Sequence, residues 1–270
     1  LRQEFVDDEE EPEELTAETA PIVAANSQPA EPQQKVLLIV EDNVDMLEFL
    51  KSNFTDEYQV ITAINGKEAL DKLSHNFVSL IISDWMMPVM DGIELCKAVR
   101  SDSMTSHIPF ILLTAKTDND SKIESMDSGA DMHIEKPFSI DYLKACIGNI
   151  IELRRMLRQK FSEMPLVPLN SVAENAADKE FLDTLNQHIE DNLANNQLSI
   201  DFLADKMHIS RSGLFAKIKS MTDTTPNELI QIIRMKKAAQ LLLENKYRIN
   251  EICYMVGFNN PSYFPKCFQK

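Results

Sequence analysis

The sequence predicts an α/β doubly wound five-stranded parallel sheet followed by an all-α double helix-turn-helix domain. Three observations carry this reading. Five short apolar runs alternate with amphipathic helical segments from Lys35 to about residue 155, and parallel strands joined through helices need right-handed crossovers that cover both faces of a sheet. From residue 181 to 270 every segment has helical periodicity and none alternates as a strand does. Between the two, residues 156–180 carry Pro165 and Pro168 and read as a linker.

The elements follow in order. "KVLLIV", "YQVITAI", "VSLIIS", "PFILLTA" and "MHIE" are the strand runs. "NVDMLEFLKSNF" places Val44, Leu47, Leu50 and Phe54 at helical spacing. "NGKEALDKL" opens on Asn65 with Glu68 three residues later, and "DGIELCKAVR" on Asp91 with Glu94, both capping-box signatures. "DNDSKIESMDSGA" predicts a helix ending at Gly129, and the helix from Ser139 is expected to run to about Phe161. Residues 1–34 are acidic and Pro-rich, too poor in apolar side chains to offset the entropy of ordering, and read as a linker.

Charge is unevenly spread. The net charge is −16, yet residues 199–270 carry 11 Lys and Arg against 6 Asp and Glu. A basic end on an acidic chain points to a polyanion partner for that end. The four cysteines lie far apart and neither they nor the five histidines have metal-ligand spacing, so they read as free thiols and ordinary histidines. No apolar run reaches the ~18 residues of a membrane span.

In open parallel sheets, chemistry sits beyond the carboxyl ends of the strands. Here the strands end in Glu41-Asp42, Asp84, Thr114 and Lys136-Pro137, which converge on one edge. Three carboxylates together call for a cation, and a hard divalent ion such as Mg²⁺ takes one or two carboxylates plus phosphate oxygens. An ionised carboxylate can itself attack phosphorus to give an acyl phosphate. Lys136 and the Thr114 hydroxyl would stabilise charge on the transferred group. A phosphatase built on the same intermediate wants a second aspartate two residues after the nucleophile; Met86 stands there.

The motifs "VEDN" (Val40–Asn43), "SDWMMPVMDG" (Ser83–Gly92), "LLTAK" (Leu112–Lys116) and "GADMHIEKPF" (Gly129–Phe138) together resemble the flavodoxin-like receiver domain of bacterial response regulators over residues 35–155. The resemblance implies that Asp84 is the phosphoacceptor. Glu41, Asp42, Asp84 and the Met86 backbone carbonyl would hold Mg²⁺, Thr114 and Lys136 would contact the phosphoryl group, and the Lys136–Pro137 peptide would be cis. Thr114 and the residue at 133 would form the switch. That residue is His133, where the family often has Tyr or Phe.

In the basic end, Ser199 caps a helix with Phe202, Leu203 and Met207 inward. "HIS" turns, and Ser210 caps a second helix with Leu214, Ile218 and Met221 on one face. Arg211, Ser212, Ala216 and Lys219 lie opposite, with Lys217 nearby, as a major-groove reading helix requires. Gly213 weakens that helix by about 1 kcal/mol relative to Ala. Thr225, Pro226 and Glu228 open a long connecting helix, after which "RINEICYMVGFNNPSYFPKCFQK" repeats the pattern with Asn260 as the cap of a last helix. Pro265, about five residues into it, removes a hydrogen bond.

This region resembles the AraC-type DNA-binding domain, which implies base contacts by Arg211, Ser212 and Ala216 and, in a second groove, by Ser262 and Lys266, with Asn260, Lys217 and Lys219 nearby and the lysines on phosphates. The family continues beyond the last residues present here. Together the two resemblances imply a phosphorylation-controlled transcription regulator, not itself an enzyme, that receives phosphate from a histidine kinase and binds DNA as a homodimer when phosphorylated. The acidic leader fits the cytoplasmic tail of a Bacteroides-type hybrid two-component system, whose parent chain would carry the kinase and control polysaccharide-utilisation genes, without membrane contact by this segment. The rival is a receiver that acts as an adaptor or phosphate sink through protein contacts alone.

Overall fold

The computed structural model describes residues 35–115, 128–195, 197–261 and 264–265. Strands β1 (Val36–Val40), β2 (Gln59–Ala63), β3 (Leu80–Asp84), β4 (Phe110–Ala115) and β5 (Met132–Lys136) form one parallel sheet in the order β2-β1-β3-β4-β5. The order reverses at β1, so β1 and β3 lie side by side and bring Glu41 and Asp84 to the same carboxyl edge. Helices α1 (Val44–Phe54), α2 (Gly66–His75), α3 (Gly92–Ser101) and α4 (Ile140–Glu163) flank it. Two apolar layers result. One packs α2 and α3 on Leu38, Ile81 and Leu112; the other packs α1 and α4 on Ile39, Ile82 and Leu113. β3 is buried along its whole length, as a central parallel strand must be.

The caps largely follow the sequence. Asp91 and Glu94 close a full capping box, as do Thr225 and Glu228 further on. At α2 the Asn65 side chain accepts from Glu68 N, but Glu68 accepts from Ile64 N and ion-pairs with Lys72, a shifted box. Val44, expected inward, is exposed because it is the first residue of α1 and precedes the packed row Leu47, Leu50 and Phe54. The helix expected within residues 118–130 and the linker expected at 1–34 fall almost wholly outside the described residues. Cys96, Cys146 and Cys253 are buried free thiols, and burial pushes the Cys96 thiol up to about 11.

Residues 156–180 are not an unstructured linker. They comprise the end of α4, a 3-10 turn (Leu169–Val172) and the start of α5 (Ala176–Glu190). Phe161, Leu169 and Val172 enter one core with α5, α6 (Ile200–Met207), α7 (Arg211–Thr222) and the first half of α8 (Pro226–Glu244). The prolines suggested a linker, but the apolar residues around them have a core to enter. A smaller core joins the second half of α8 to α9 (Ile249–Met255), Phe258 and Phe264. Gly257, at φ 83°, is where a Cβ would lie 1.9 Å from the Leu193 carbonyl oxygen, and Arg234 from α8 donates to that same carbonyl and to that of Asn195. This ties the second helix pair to the first.

A polar seam joins the sheet domain to the helical one. Ser106, in the loop after α3, donates to Asp178 Oδ1 at 2.7 Å and accepts at its carbonyl from Asn175 Nδ2 at 2.8 Å. Arg154 on α4 donates to the His107 carbonyl at 2.7 Å and pairs with Glu174 and Asp131. Asp131 is shared with Arg100, whose guanidinium also binds the Ser106, Ile108 and Gly129 carbonyls.

His107 lies in this seam with its Nδ1 unpartnered among the described residues. Burial, helped by Lys217, Arg154, Arg158 and Arg100, lowers its pKa from 6.5 to about 3. The folded seam therefore wants a neutral ring, and the unfolded chain binds the extra proton below pH 6.5. Stability from this group is complete above about pH 6.5 and is lost as pH falls toward 3, about 2 kcal/mol at pH 5. In urea unfolding, His107→Gln is expected to lose correspondingly less stability than wild type between pH 7 and pH 5; equal losses would refute the assignment.

Candidate functional site

The site is built by strand ends. β1 delivers Glu41 and Asp42, β3 delivers Asp84, β4 delivers Thr114 and β5 delivers Lys136. Lys136 Nζ sits 2.7 Å from Asp84 Oδ1 and 2.9 Å from Glu41 Oε2. Carboxylate oxygens of Glu41, Asp42 and Asp84 all lie within 4.8 Å of one another. Glu41 is 2% exposed and Asp84 9%, whereas Asp42 is exposed. Thr114 is buried, His133 half-buried, and the Lys136–Pro137 peptide is cis.

The electrostatics are unbalanced. Three carboxylates face one ammonium. Burial raises the Glu41 pKa, the Lys136 hydrogen bond opposes it, and the charge on Asp84 raises it further. Burial pulls Lys136 down, but its hydrogen bonds to Asp84 and Glu41 prevail and its pKa is raised. The donor set suits a hard divalent cation: clustered carboxylates, one solvent-facing, with charge left over. Glu41, Asp42 and Asp84 would hold Mg²⁺, with the carbonyl of Met86 in the loop leaving β3 as a further ligand.

Around Asp84 the backbone is tight. Gly92 N donates to the Trp85 carbonyl at 2.8 Å, and a Cβ at Gly92 would lie 2.2 Å from the Asp84 carbonyl oxygen. Val89 has φ 73°, with Met90 N bonded to the Pro88 carbonyl, a γ-turn of the strained, positive-φ kind. Trp85 and Met87 pack on the core, but Met86 is 68% exposed and does not. Trp85, the chain's single tryptophan, is thus a neighbour of the site, and Mg²⁺ is expected to change its fluorescence in a saturable titration. Asp42→Asn should weaken that titration at least about tenfold, because a carboxylate ligand is lost; an unchanged midpoint would remove Asp42 from the ligand set.

In the helical domain α6 and α7 form the first helix pair. Its turn is closed by His208 in the left-handed conformation, and Ser199 and Ser210 both cap as expected. Arg211, Ser212 and Lys219 are exposed on α7, and Ala216 is half-buried. Lys217 departs from its expected place at DNA. It is 1% exposed, lies over the Phe181 ring at 4.1 Å, stands 3.8 Å from Asp178, and donates to the Ser103 carbonyl of the sheet domain. The reason is angular. Lys217 falls between the packed row Leu214, Ile218 and Met221 and the exposed row, on the flank that the sheet domain covers. Burial lowers its pKa to about 8 against the pull of Asp178 and Asp102. Asn260 is exposed; Ser262 and Lys266 lie outside the described residues.

Sequence reading missed the seam residues Arg154, Asp131, Asp178 and Ser106. The available signal was Arg154 and Arg158, one helical turn apart beside the apolar positions of α4.

Residues 37–148 match the family described as the response regulator receiver domain, and residues 203–270 match a helix-turn-helix domain. The chain is 42% identical over 260 residues to Histidine kinase P4 of Formosa agariphila, covering 95% of this chain and 19% of that protein. It is 40% identical over 116 residues to the response regulator ArlR of Staphylococcus aureus, covering 43% of this chain and 52% of that one. Among solved structures, the receiver domain of a signal transduction histidine kinase from Syntrophus aciditrophicus is 36% identical, with a TM-score of 0.43, covering 44% of this chain and 90% of that one. The chain thus spans about a fifth of the first relative and about half of the second. The family matches define a chain that joins a receiver domain to a helix-turn-helix domain. Its sheet domain is a response-regulator receiver, and its helical end is an AraC-type helix-turn-helix domain.

Proposed function

We propose that this chain is a phosphorylation-controlled, DNA-binding transcription regulator whose phosphoacceptor is Asp84. The observation that carries the reading is the Asp84 carboxylate at the end of β3, 2.7 Å from Lys136 and clustered with Glu41 and Asp42, in one chain with a helix-turn-helix domain. An Asp84 oxygen attacks the phosphorus of a kinase phosphohistidine; the new P–O bond forms as the P–N bond breaks, and the imidazole leaves with the electron pair and takes up a proton. Lys136 stays beside the transferred group and offsets its charge, and the Thr114 hydroxyl donates to a phosphoryl oxygen. Bound Mg²⁺ would neutralise charge on the phosphoryl oxygens.

Phosphorylation then reorganises the loops around Thr114 and His133, favours a dimer, and changes DNA engagement through Arg211, Ser212, Ala216 and Lys219. The relation to a histidine kinase eight-tenths of whose length lies outside the matched region supports a kinase donor on the same parent chain. Polysaccharide-utilisation genes are the targets that the resemblance to hybrid systems suggests. Binding to DNA places the proposed action in the cytoplasm; no helix among the described residues is long and apolar enough to cross a membrane.

The test is Mg²⁺-dependent incorporation of phosphate from a small phosphodonor such as acetyl phosphate, read by intact mass. Hydroxylamine-labile label mapping to the peptide that holds Asp84 is expected. Stable label, or label mapping elsewhere, would overturn the assignment.

A further inference from the structure

We propose that Phe215 is a base-reading residue of α7 that recognises the 5-methyl group of a thymine in the major groove; this rests on the reading of α7 as a DNA-binding helix. Phe215 is 43% exposed and belongs to none of the apolar cores among the described residues. A lone exposed apolar side chain means little by itself, so its place on the helix decides. Successive residues step by about 100° round a helix. Measured from Arg211, Phe215 stands about 40° round α7, Lys219 about 80° and Ser212 about 100°, and all four are exposed. The packed residues Leu214, Ile218 and Met221 lie outside that arc, between about 280° and 340°. An aromatic ring thus stands within the arc that carries the polar donors.

The chemistry selects a methyl group. Base edges in the major groove offer donors and acceptors and one apolar group, the C5 methyl of thymine. Phe215 has no side-chain donor or acceptor, so that methyl is the base feature it can bind. Ala216 beside it is half-buried and too short to reach as far. Arg211 fixes the neighbourhood. It meets Asp201 of α6 through Nε, 3.2 Å from Oδ1, which leaves both Nη groups for the O6 and N7 of a guanine. Phe215 follows Arg211 by about 6 Å along the helix axis, and successive bases of a strand rise by about 3.4 Å. The thymine is therefore expected within about two base pairs of that guanine.

The experiment uses the full chain, treated with acetyl phosphate and Mg²⁺, and the duplex that it enriches from random sequence. Each thymine is replaced in turn by uracil, which removes the methyl group and nothing else. Burying one methyl-sized group is worth about fourfold in affinity, so wild type is expected to lose about that much at one thymine. Phe215→Ala is expected to bind the thymine and uracil duplexes equally at that position, and Phe215→Leu to keep part of the difference. Both variants should melt as wild type does, because the ring is exposed. Arg211→Ala locates the guanine as the position where selectivity is lost. A thymine effect undiminished in Phe215→Ala, no thymine effect anywhere in wild type, or a sensitive thymine far from the Arg211 position would each overturn the proposal. Absence of binding to any duplex by every form, wild type included, would instead strike down the DNA-binding reading, and the assignment of Phe215 with it.

Discussion

Asp84→Asn is expected to reduce phosphoryl incorporation by on the order of 100-fold or more, to background, while leaving the fold intact. The amide keeps the carboxylate's shape but carries no charge and offers no oxygen nucleophile of comparable strength. Lys136 loses its partner at 2.7 Å but keeps Glu41 at 2.9 Å, so the ammonium stays placed. Three carboxylates within 4.8 Å become two, which relieves repulsion. Thermal stability without Mg²⁺ is therefore expected to hold or rise, and stabilisation by added Mg²⁺ to shrink as its affinity drops. Initial rates with acetyl phosphate, paired with melts at several Mg²⁺ concentrations, separate these effects. A variant that labels at the wild-type rate, or that unfolds, would refute the assignment.

Gly92→Ala is expected to be the most damaging single-methyl change near the site. Its Cβ would meet the Asp84 carbonyl oxygen at 2.2 Å, Leu112 Cδ1 at 2.7 Å and Trp85 Cα at 3.0 Å. Two of these are backbone atoms, which cannot step aside as a side chain can. Either α3 lifts from the sheet, breaking the Gly92–Trp85 hydrogen bond, or the end of β3 moves and carries Asp84 away from Lys136. The expected cost is about 2–3 kcal/mol of stability, with phosphorylation slowed at least about tenfold because the nucleophile's placement is lost. Urea unfolding and labelling rates measure both. Wild-type values in the two assays would mean that α3 does not fix Asp84.

Much of this was legible in the sequence because the sheet writes itself in a simple code. "VSLIIS" holds the apolar run Leu80–Ile82, short enough to suit a strand buried on both faces, and its successor Asp84 stands at the strand's carboxyl end. Order of strands and right-handed crossovers then bring Glu41, Asp42, Thr114 and Lys136 to the same edge, with no side-chain detail required. Capping residues gave the helix starts for the same reason: Asn65, Asp91, Ser199, Ser210 and Thr225 act locally. What could not be read depends on which surfaces meet. Lys217 has the pattern of a solvated lysine on a reading helix, and its burial is decided by Ser103 and Asp178, 114 and 39 positions away in the sequence. Pro165 and Pro168 suggested a linker, yet Leu169 and Val172 near them find a core. Glu68 shows the same limit on a small scale, since its reach to Ile64 rather than Asn65 depends on the local path of the chain.

The most direct test of the central claim is the affinity of wild type and Asp84→Asn for a duplex enriched from random sequence by the phosphorylated chain, measured by fluorescence anisotropy before and after acetyl phosphate with Mg²⁺. Phosphorylation at Asp84 that governs DNA binding predicts at least a tenfold change in affinity for wild type and none for Asp84→Asn. An unchanged affinity in a fully labelled wild-type chain, or the same change in Asp84→Asn, would contradict it.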